Sequence, residues 1–143
     1  MKGFFQRFIT LYRPIINLLN ELLGEFDLSY SLWQVMYFLK MNGPSSLVDI
    51  SKYYEVEKPA ITRRVQRLEK MSLVEVIPSQ NKREKIIQLT DRGEEVYELC
   101  RKRITNLESH VMQGIPEEEQ FAAFRLLPKI KSNILEGDSD EQS

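Results

Sequence analysis

Glu57-Lys58-Pro59-Ala60-Ile61-Thr62-Arg63-Arg64-Val65-Gln66-Arg67-Leu68-Glu69-Lys70 begins the stretch, Glu57 to Gly93, around which the rest of this chain is organised. It reads as a short helix, with Pro59 suited to its first turn. At about 100° per residue, Ile61, Val65 and Leu68 share one side, flanked by Ala60 and Met71. Pro59, Thr62, Arg63, Gln66 and Lys70 fall on the opposite side, with Arg64 and Arg67 leaning to the edges. Two β-like runs follow, Val74 to Ile77 and Lys85 to Leu89, joined by the polar loop Ser79-Gln80-Asn81-Lys82-Arg83-Glu84. A basic helix followed by a basic-tipped hairpin suits DNA. The helix fits a major groove, and a guanidinium on a thin turn fits a minor groove about 6 Å wide.

The charge distribution agrees. The 143-residue chain has a net charge of −1, yet residues 58–85 hold eight basic and three acidic side chains, a net of +5 that leaves −6 for the remainder. Phosphates respond to charge within a Debye length of roughly 8–10 Å, so the local island is what matters. The length fits one domain or a small two-part subunit, and a 42% hydrophobic share supplies a core. No apolar run approaches the roughly 18–20 residues of a membrane span. The N-terminal apolar residues recur helically with no small-residue cleavage site after them, which argues against a signal peptide. One cysteine makes no internal disulfide and suits a reducing, cytoplasmic setting.

Outside this stretch the chain reads as helices. Phe5, Phe8, Tyr12, Ile15, Leu19, Leu22 and Phe26 alternate spacings of three and four, and Ile9, Ile16 and Leu23 widen the seam. Such a stripe exceeds what one small domain hides, so part of it is expected to be a subunit interface. Pro14 predicts a kink or break near Arg13. Asp27 to Ser31 reads as a polar joint with Ser31 as N-cap. A helix from Leu32 to Met41 stops at Asn42-Gly43-Pro44. A shorter one runs from about Ser46 to Tyr54, and the turn Glu55-Val56-Glu57 joins it to the arginine helix as a helix-turn-helix. After the hairpin, Thr90 caps a helix reaching about Gln113, with Tyr97, Cys100, Ile104, Leu107 and Val111 on one seam. Glu117 to Glu119 open a last helix, with Phe121, Phe124, Leu127, Ile130 and Ile134 expected inward and a kink at Pro128. The acidic residues 137–143 are expected to form a disordered tail.

The residues assigned to DNA on the helix are Lys58, Pro59, Thr62, Arg63, Arg64, Gln66, Arg67 and Lys70; on the hairpin they are Asn81, Lys82, Arg83 and Lys85. Arg can grip guanine O6/N7, Gln adenine N6/N7, and Thr a thymine methyl. Dimerisation is assigned to Phe5, Phe8, Tyr12, Ile15, Leu19, Ile104, Leu107, Val111, Phe121 and Phe124. Tyr12, Trp33, Tyr37 and Tyr53 are candidate walls of a small-molecule pocket. An enzyme is not expected. Cys100 and His110 lie roughly 15 Å apart by axial rise on one helix and form no dyad, and there is no Gly-rich phosphate loop. With one histidine, no metal site or cofactor is expected. A redox switch at Cys100 is an alternative; its place on an apolar seam favours a buried, inert thiol.

The run Ile50-Ser51-Lys52-Tyr53-Tyr54-Glu55-Val56-Glu57-Lys58-Pro59-Ala60-Ile61-Thr62-Arg63-Arg64-Val65-Gln66-Arg67-Leu68-Glu69-Lys70-Met71-Ser72-Leu73-Val74 resembles the recognition segment of MarR-type (multiple antibiotic resistance regulator) transcriptional regulators. Asn81-Lys82-Arg83 and then Leu89-Thr90-Asp91-Arg92-Gly93 match that family's D-x-R…L-T-x-x-G pattern, with Asn81 in place of Asp. Glu55 stands where the family has Gly in the turn, and Glu57 where it has a Ser cap. The resemblance spans nearly the whole chain. It implies a mainly α fold with a small β-hairpin wing: a winged helix-turn-helix domain at 29–93 and a helical dimerisation region built from the N- and C-terminal helices, 1–28 and 94–136. It also implies a homodimer that binds double-stranded DNA at a pseudo-palindromic operator, probing the major groove with the helix and the minor groove with the wing. Such regulators are mostly repressors released by small anionic or phenolic effectors, by thiol oxidation or by metal. The rival expectation is a winged-helix module that binds another protein and not DNA.

Overall fold

The inward side of the arginine helix is fixed by burial: Ile61, Val65 and Leu68 are all in the core, as their spacing requires. The computed structural model describes residues 1–79 and 84–142, with side chains as far as Gly137. The elements are α1 (Phe4–Gly24), α2 (Tyr30–Asn42), β1 (Ser45–Ser46), α3 (Leu47–Tyr54), α4 (Lys58–Lys70), β2 (Val74–Ile77), β3 (Ile86–Leu89), α5 (Asp91–Val111) and α6 (Glu117–Gln142). Contacts divide the chain into two units, Met1–Thr105 and a second beginning at Asn106. No described helix is long and apolar enough to cross a membrane.

In the first unit, α2 packs on α1 and α4, and α3 packs on α4. The core is built from Leu23 of α1, Val35, Met36 and Leu39 of α2, Ile50 of α3, the three α4 residues, Ile87 of β3, and Tyr97 and Cys100 of α5. The sheet has the order β1-β3-β2, all antiparallel. Val74 pairs with Leu89 and Ile77 with Ile86, which places the hairpin strands where the sequence put them, with β3 one residue shorter. The two-residue β1, pairing Ser45 with Ile87, was not legible beforehand because only β3 defines it.

Two expectations are corrected. Ser29, not Ser31, caps α2: its side chain accepts from the Leu32 N–H at 3.3 Å, and Ser31 Oγ instead lies 3.0 Å from Ser29 Oγ. Asn20 Oδ1 accepts from the Tyr30 N–H at 2.8 Å, so the residue after the cap is also fixed from α1. Helix α1 is continuous through Pro14, without a break near Arg13, and α6 is continuous through Pro128. Each proline removes one hydrogen bond, at about 3 kcal/mol, and good helix formers on both sides carry the element past it. The backbone of α6 continues through 137–142, the stretch read as a disordered tail. Gly137 does not take the left-handed conformation that ends a helix.

Three helix ends in the first unit, those of α1, α3 and α4, share one device. Asp27 (φ 60°), Glu55 (φ 54°) and Ser72 (φ 60°) adopt the left-handed conformation just past α1, α3 and α4. Each is followed by an N–H that reaches back five residues: Leu28 to Leu23, Val56 to Ser51, and Leu73 to Leu68, at 2.9, 3.1 and 3.0 Å. This is the Schellman arrangement, normally built on glycine. A non-glycine residue there costs about 1–2 kcal/mol, against which glycine's greater freedom in the unfolded chain offsets roughly half. Glu55→Gly is therefore expected to stabilise the fold by about 0.5–1 kcal/mol, read as a higher urea midpoint with an unchanged slope. A lower midpoint would show that the Glu55 side chain stabilises more than its backbone strain costs.

Candidate nucleic-acid interface

The outward side of α4 is set by its first turn. Pro59 sits at the helix start, where a missing N–H costs nothing. Glu57 precedes it as N-cap but makes no side-chain cap bond; its carbonyl accepts from the Ala60 and Ile61 N–H groups instead. Lys58, Pro59, Arg63, Gln66, Arg67 and Lys70 are exposed. None of the four cations among them has an ion-pair partner among the described residues. Unpaired cations beside a buried apolar side form a ready surface for phosphates and base edges.

Thr62 and Arg64 differ from the rest. The Thr62 hydroxyl donates to the Lys58 carbonyl at 3.0 Å, so its methyl is the part free to touch a base. Arg64 is half-buried and turns back to α2, where Nη1 donates to Gln34 Oε1 at 3.4 Å. The sequence wheel placed Arg64 at the edge, toward phosphates; Gln34 offers an acceptor on the other flank and draws it inward.

On the hairpin, Asn81, Lys82 and Arg83 lie outside the described residues. Lys85 stands exposed at the foot of β3. With Lys58, Ser46, Leu47, Val48 and Glu84 it lines a shallow cleft of about 140 Å³. The wing base is anchored to the start of α5 through Thr90. Its hydroxyl donates to the Ser72 carbonyl at 2.6 Å and accepts from the Gly93 N–H at 2.9 Å, so the expected cap is formed.

A second cleft, of about 210 Å³, opens between α2 and α3 and is lined by Tyr30, Trp33, Gln34, Tyr37, Tyr53 and Tyr54. It gathers three of the four aromatic residues expected of a pocket. Tyr12 is exposed on α1 and does not line it. Tyr30, Gln34 and Tyr54 were missed, although Tyr30, Trp33, Gln34 and Tyr37 have the one-face spacing of a helix. Trp33 stacks on Tyr97 of α5, with centroids 4.8 Å apart and planes at 4°. The Tyr54 hydroxyl donates to the Gln34 backbone carbonyl at 2.8 Å. Burial, aided by the phenols of Tyr53, Tyr30 and Tyr37, pushes its pKa well above that of an ordinary tyrosine, so it stays a donor.

Of the dimerisation residues, Phe5, Phe8, Tyr12 and Ile15 on α1 and Val111, Phe121 and Phe124 in the second unit are exposed. Leu19 and Leu107 are half-buried. Ile104 is not available: it is buried with Tyr97 and Cys100 on the seam of α5. Phe121, Phe124, Leu127 and Ile134, expected inward, are exposed, since the pattern shows only that the face needs a cover. Cys100 is fully buried and burial pushes its thiol up to about 11, against the opposing pull of Arg103. A buried, protonated thiol is a poor nucleophile, and this geometry lends the redox alternative no support.

The domain that carries these residues is similar to known proteins. Residues 28–93 match the family described as winged helix DNA-binding domain. The chain is 34% identical over 110 residues to the HTH-type transcriptional regulator YwoH of Bacillus subtilis, covering 77% of this chain and 80% of that one. It is 31% identical over 135 residues to an HTH-type transcriptional regulator of Staphylococcus aureus, covering 92% of each. Among solved structures, Staphylococcus aureus MarR in complex with salicylate and kanamycin superposes with a TM-score of 0.85 at 27% identity, over 94% of this chain and 92% of that one.

Proposed function

The chain belongs to the MarR-type winged helix-turn-helix transcriptional regulators, a DNA-binding regulator and not an enzyme, and from that premise we propose that it is a cytoplasmic homodimeric repressor released by a small molecule. Two copies would place their α4 helices in successive major grooves of a pseudo-palindromic operator, with half-site centres about one helical turn apart. Residues 29–93 would form the reading head; 1–28 and 94–136 would form the dimerisation region. The observation that carries the DNA reading is the exposed set Lys58, Arg63, Gln66, Arg67 and Lys70 over a buried apolar side, its cations without ion-pair partners among the described residues. Arg63 and Gln66 are assigned to base edges, Lys58, Arg67, Lys70 and Lys85 to phosphates, and Asn81, Lys82 and Arg83 to the flanking minor groove.

The exposed apolar residues of α1, and separately those of α6, support the dimer: isolated chains seldom leave so many large apolar side chains in water. The aromatic cleft supports an effector. Its flat walls and phenolic donors suit a small aromatic acid or phenol, the class of the salicylate bound by the Staphylococcus aureus relative.

Selection of bound sequences from a random duplex pool tests the reading and yields the operator. Affinity for the selected site should fall steeply with salt, because bound phosphates release counterions. Arg63→Ala is expected to lose about 10- to 100-fold in discrimination at one base position per half-site, the worth of a bidentate arginine–guanine contact. A variant that keeps full discrimination would remove Arg63 from the base-reading role.

A further inference from the structure

Gln34 stands where the aromatic cleft meets both helices of the reading head. The residue lines the cleft. Its backbone carbonyl accepts from the Tyr54 hydroxyl of α3 at 2.8 Å, and its Oε1 accepts from Nη1 of Arg64 on α4 at 3.4 Å. One residue of α2 thus ties down both α3 and α4. Arg64 is the basic residue of α4 that does not face outward: Lys58, Arg63, Arg67 and Lys70 are exposed, while it is half-buried.

We propose that Gln34 couples the cleft to DNA reading: it holds Arg64, and through Arg64 the seating of α4 on α2, and a molecule in the cleft that engages the amide releases that hold. The physical basis is competition for one side chain. Gln34 Oε1 accepts from Nη1 of Arg64 at the long distance of 3.4 Å, and a donor in the cleft that turns the amide toward itself lengthens that contact beyond a hydrogen bond. Once Arg64 is released, α4 keeps its apolar contacts with α2 but loses this polar tie. Ordering it on DNA then costs free energy that the tethered helix has already lost. Occupancy and DNA binding oppose each other, and by linkage each weakens the other equally. Gln34 is therefore a positioning residue, acting through Arg64 rather than on DNA itself. This inference rests on the proposal that the cleft is the effector site.

Two linked measurements test it. In the first, Gln34→Leu removes the acceptor at similar volume, and Gln34→Glu keeps an acceptor for Arg64. Gln34→Leu should lose about tenfold in operator affinity, the size of one hydrogen bond to a charged group, while binding to random duplex changes little. Gln34→Glu should restore operator affinity to within about twofold. A residue needed only for stability would lower the thermal midpoint without changing the ratio of operator to random-duplex affinity, and would show no rescue by glutamate.

In the second, Tyr53→Cys in a Cys100→Ala background is labelled with 2-(4-hydroxyphenyl)ethyl methanethiosulfonate, which places a phenol, an aromatic ring with a hydrogen-bond donor, at the cleft covalently. Labelling should weaken operator binding by about tenfold with Gln34 present and have little further effect in Gln34→Leu. A label that changes nothing, or one whose effect is undiminished in Gln34→Leu, overturns the coupling. The ring is present whatever the natural effector, so a negative result falls on the coupling and not on the choice of ligand. Failure of small aromatic acids to bind the unsubstituted protein would instead count against the effector reading alone.

Discussion

Gly93→Ala is expected to destabilise the first unit by about 3 kcal/mol, at the upper end of overpacking costs. A Cβ at this position would lie 2.0 Å from the Leu73 carbonyl oxygen, 3.0 Å from its carbonyl carbon and 3.3 Å from Leu89 Cδ2. The first two are backbone atoms and cannot swing aside as a flexible side chain would. The carbonyl is also engaged, accepting from the Thr90 N–H at 3.1 Å. One residue back, the Ser72 carbonyl accepts from the Thr90 hydroxyl, which in turn accepts from the Gly93 N–H. Gly93 is thus required by close approach of the first turn of α5 to the entry of β2, and not by its backbone conformation. Relief of the clash must part these two segments, breaking the Thr90 bonds and loosening the wing base. For a chain of this size each kcal/mol moves the midpoint by roughly 2–4 °C. The expected fall is therefore about 6–12 °C by calorimetry, with weaker operator binding beside it. A midpoint within about 2 °C of the unsubstituted protein would mean that the approach relaxes without cost.

This glycine shows why some of the molecule could be read from its sequence. Leu89-Thr90-Asp91-Arg92-Gly93 joins a strand end, a cap and a contact residue within five positions. Local chemistry dictates the strand end and the cap, and the structure places both as expected; the contact of Gly93 with Leu73 arises from the fold. The inward side of α4 was legible for the same reason: helix period alone puts Ile61, Val65 and Leu68 together. What depends on tertiary partners was not legible. Between Ser29 and Ser31 only the packing of α2 decides the cap. Ser72 and Asp27 take a conformation that favours glycine because the apolar pairs Leu73–Leu68 and Leu28–Leu23 close the turn over them. Arg64 belongs by its wheel position to the edge of α4, and only the presence of Gln34 across the gap draws it in. The cleft likewise needs α2 and α3 side by side before Tyr30, Gln34 and Tyr54 can be seen to share it.

The apolar seams of α1 and α6 are the remaining case, and they carry the second large effect. Periodicity announced that these faces need covering, and in the single chain they are not covered: Phe5 is 64% exposed, Ile9 60%, Phe121 58% and Phe124 77%. If a second copy covers them, charge placed there should separate the copies without harming the chain's own core, to which none of these residues contributes. Phe8→Glu with Ile15→Glu puts two carboxylates seven residues apart, on one side of α1; Phe124→Glu does the same to α6 with a single change. Burying a carboxylate in an apolar interface without a partner costs several kcal/mol, enough to dissociate a micromolar or tighter dimer. Both variants are expected to sediment as monomers with unchanged helical circular dichroism. Each monomer presents one reading head, so the gain from joining two half-sites is lost, a factor of about 10²–10⁴ in operator affinity. Random-duplex binding, which needs only the local cations, should fall far less. A variant that remains dimeric would move the interface off that face. A clean monomer that binds the operator as tightly as the unsubstituted protein would sink the two-head reading itself.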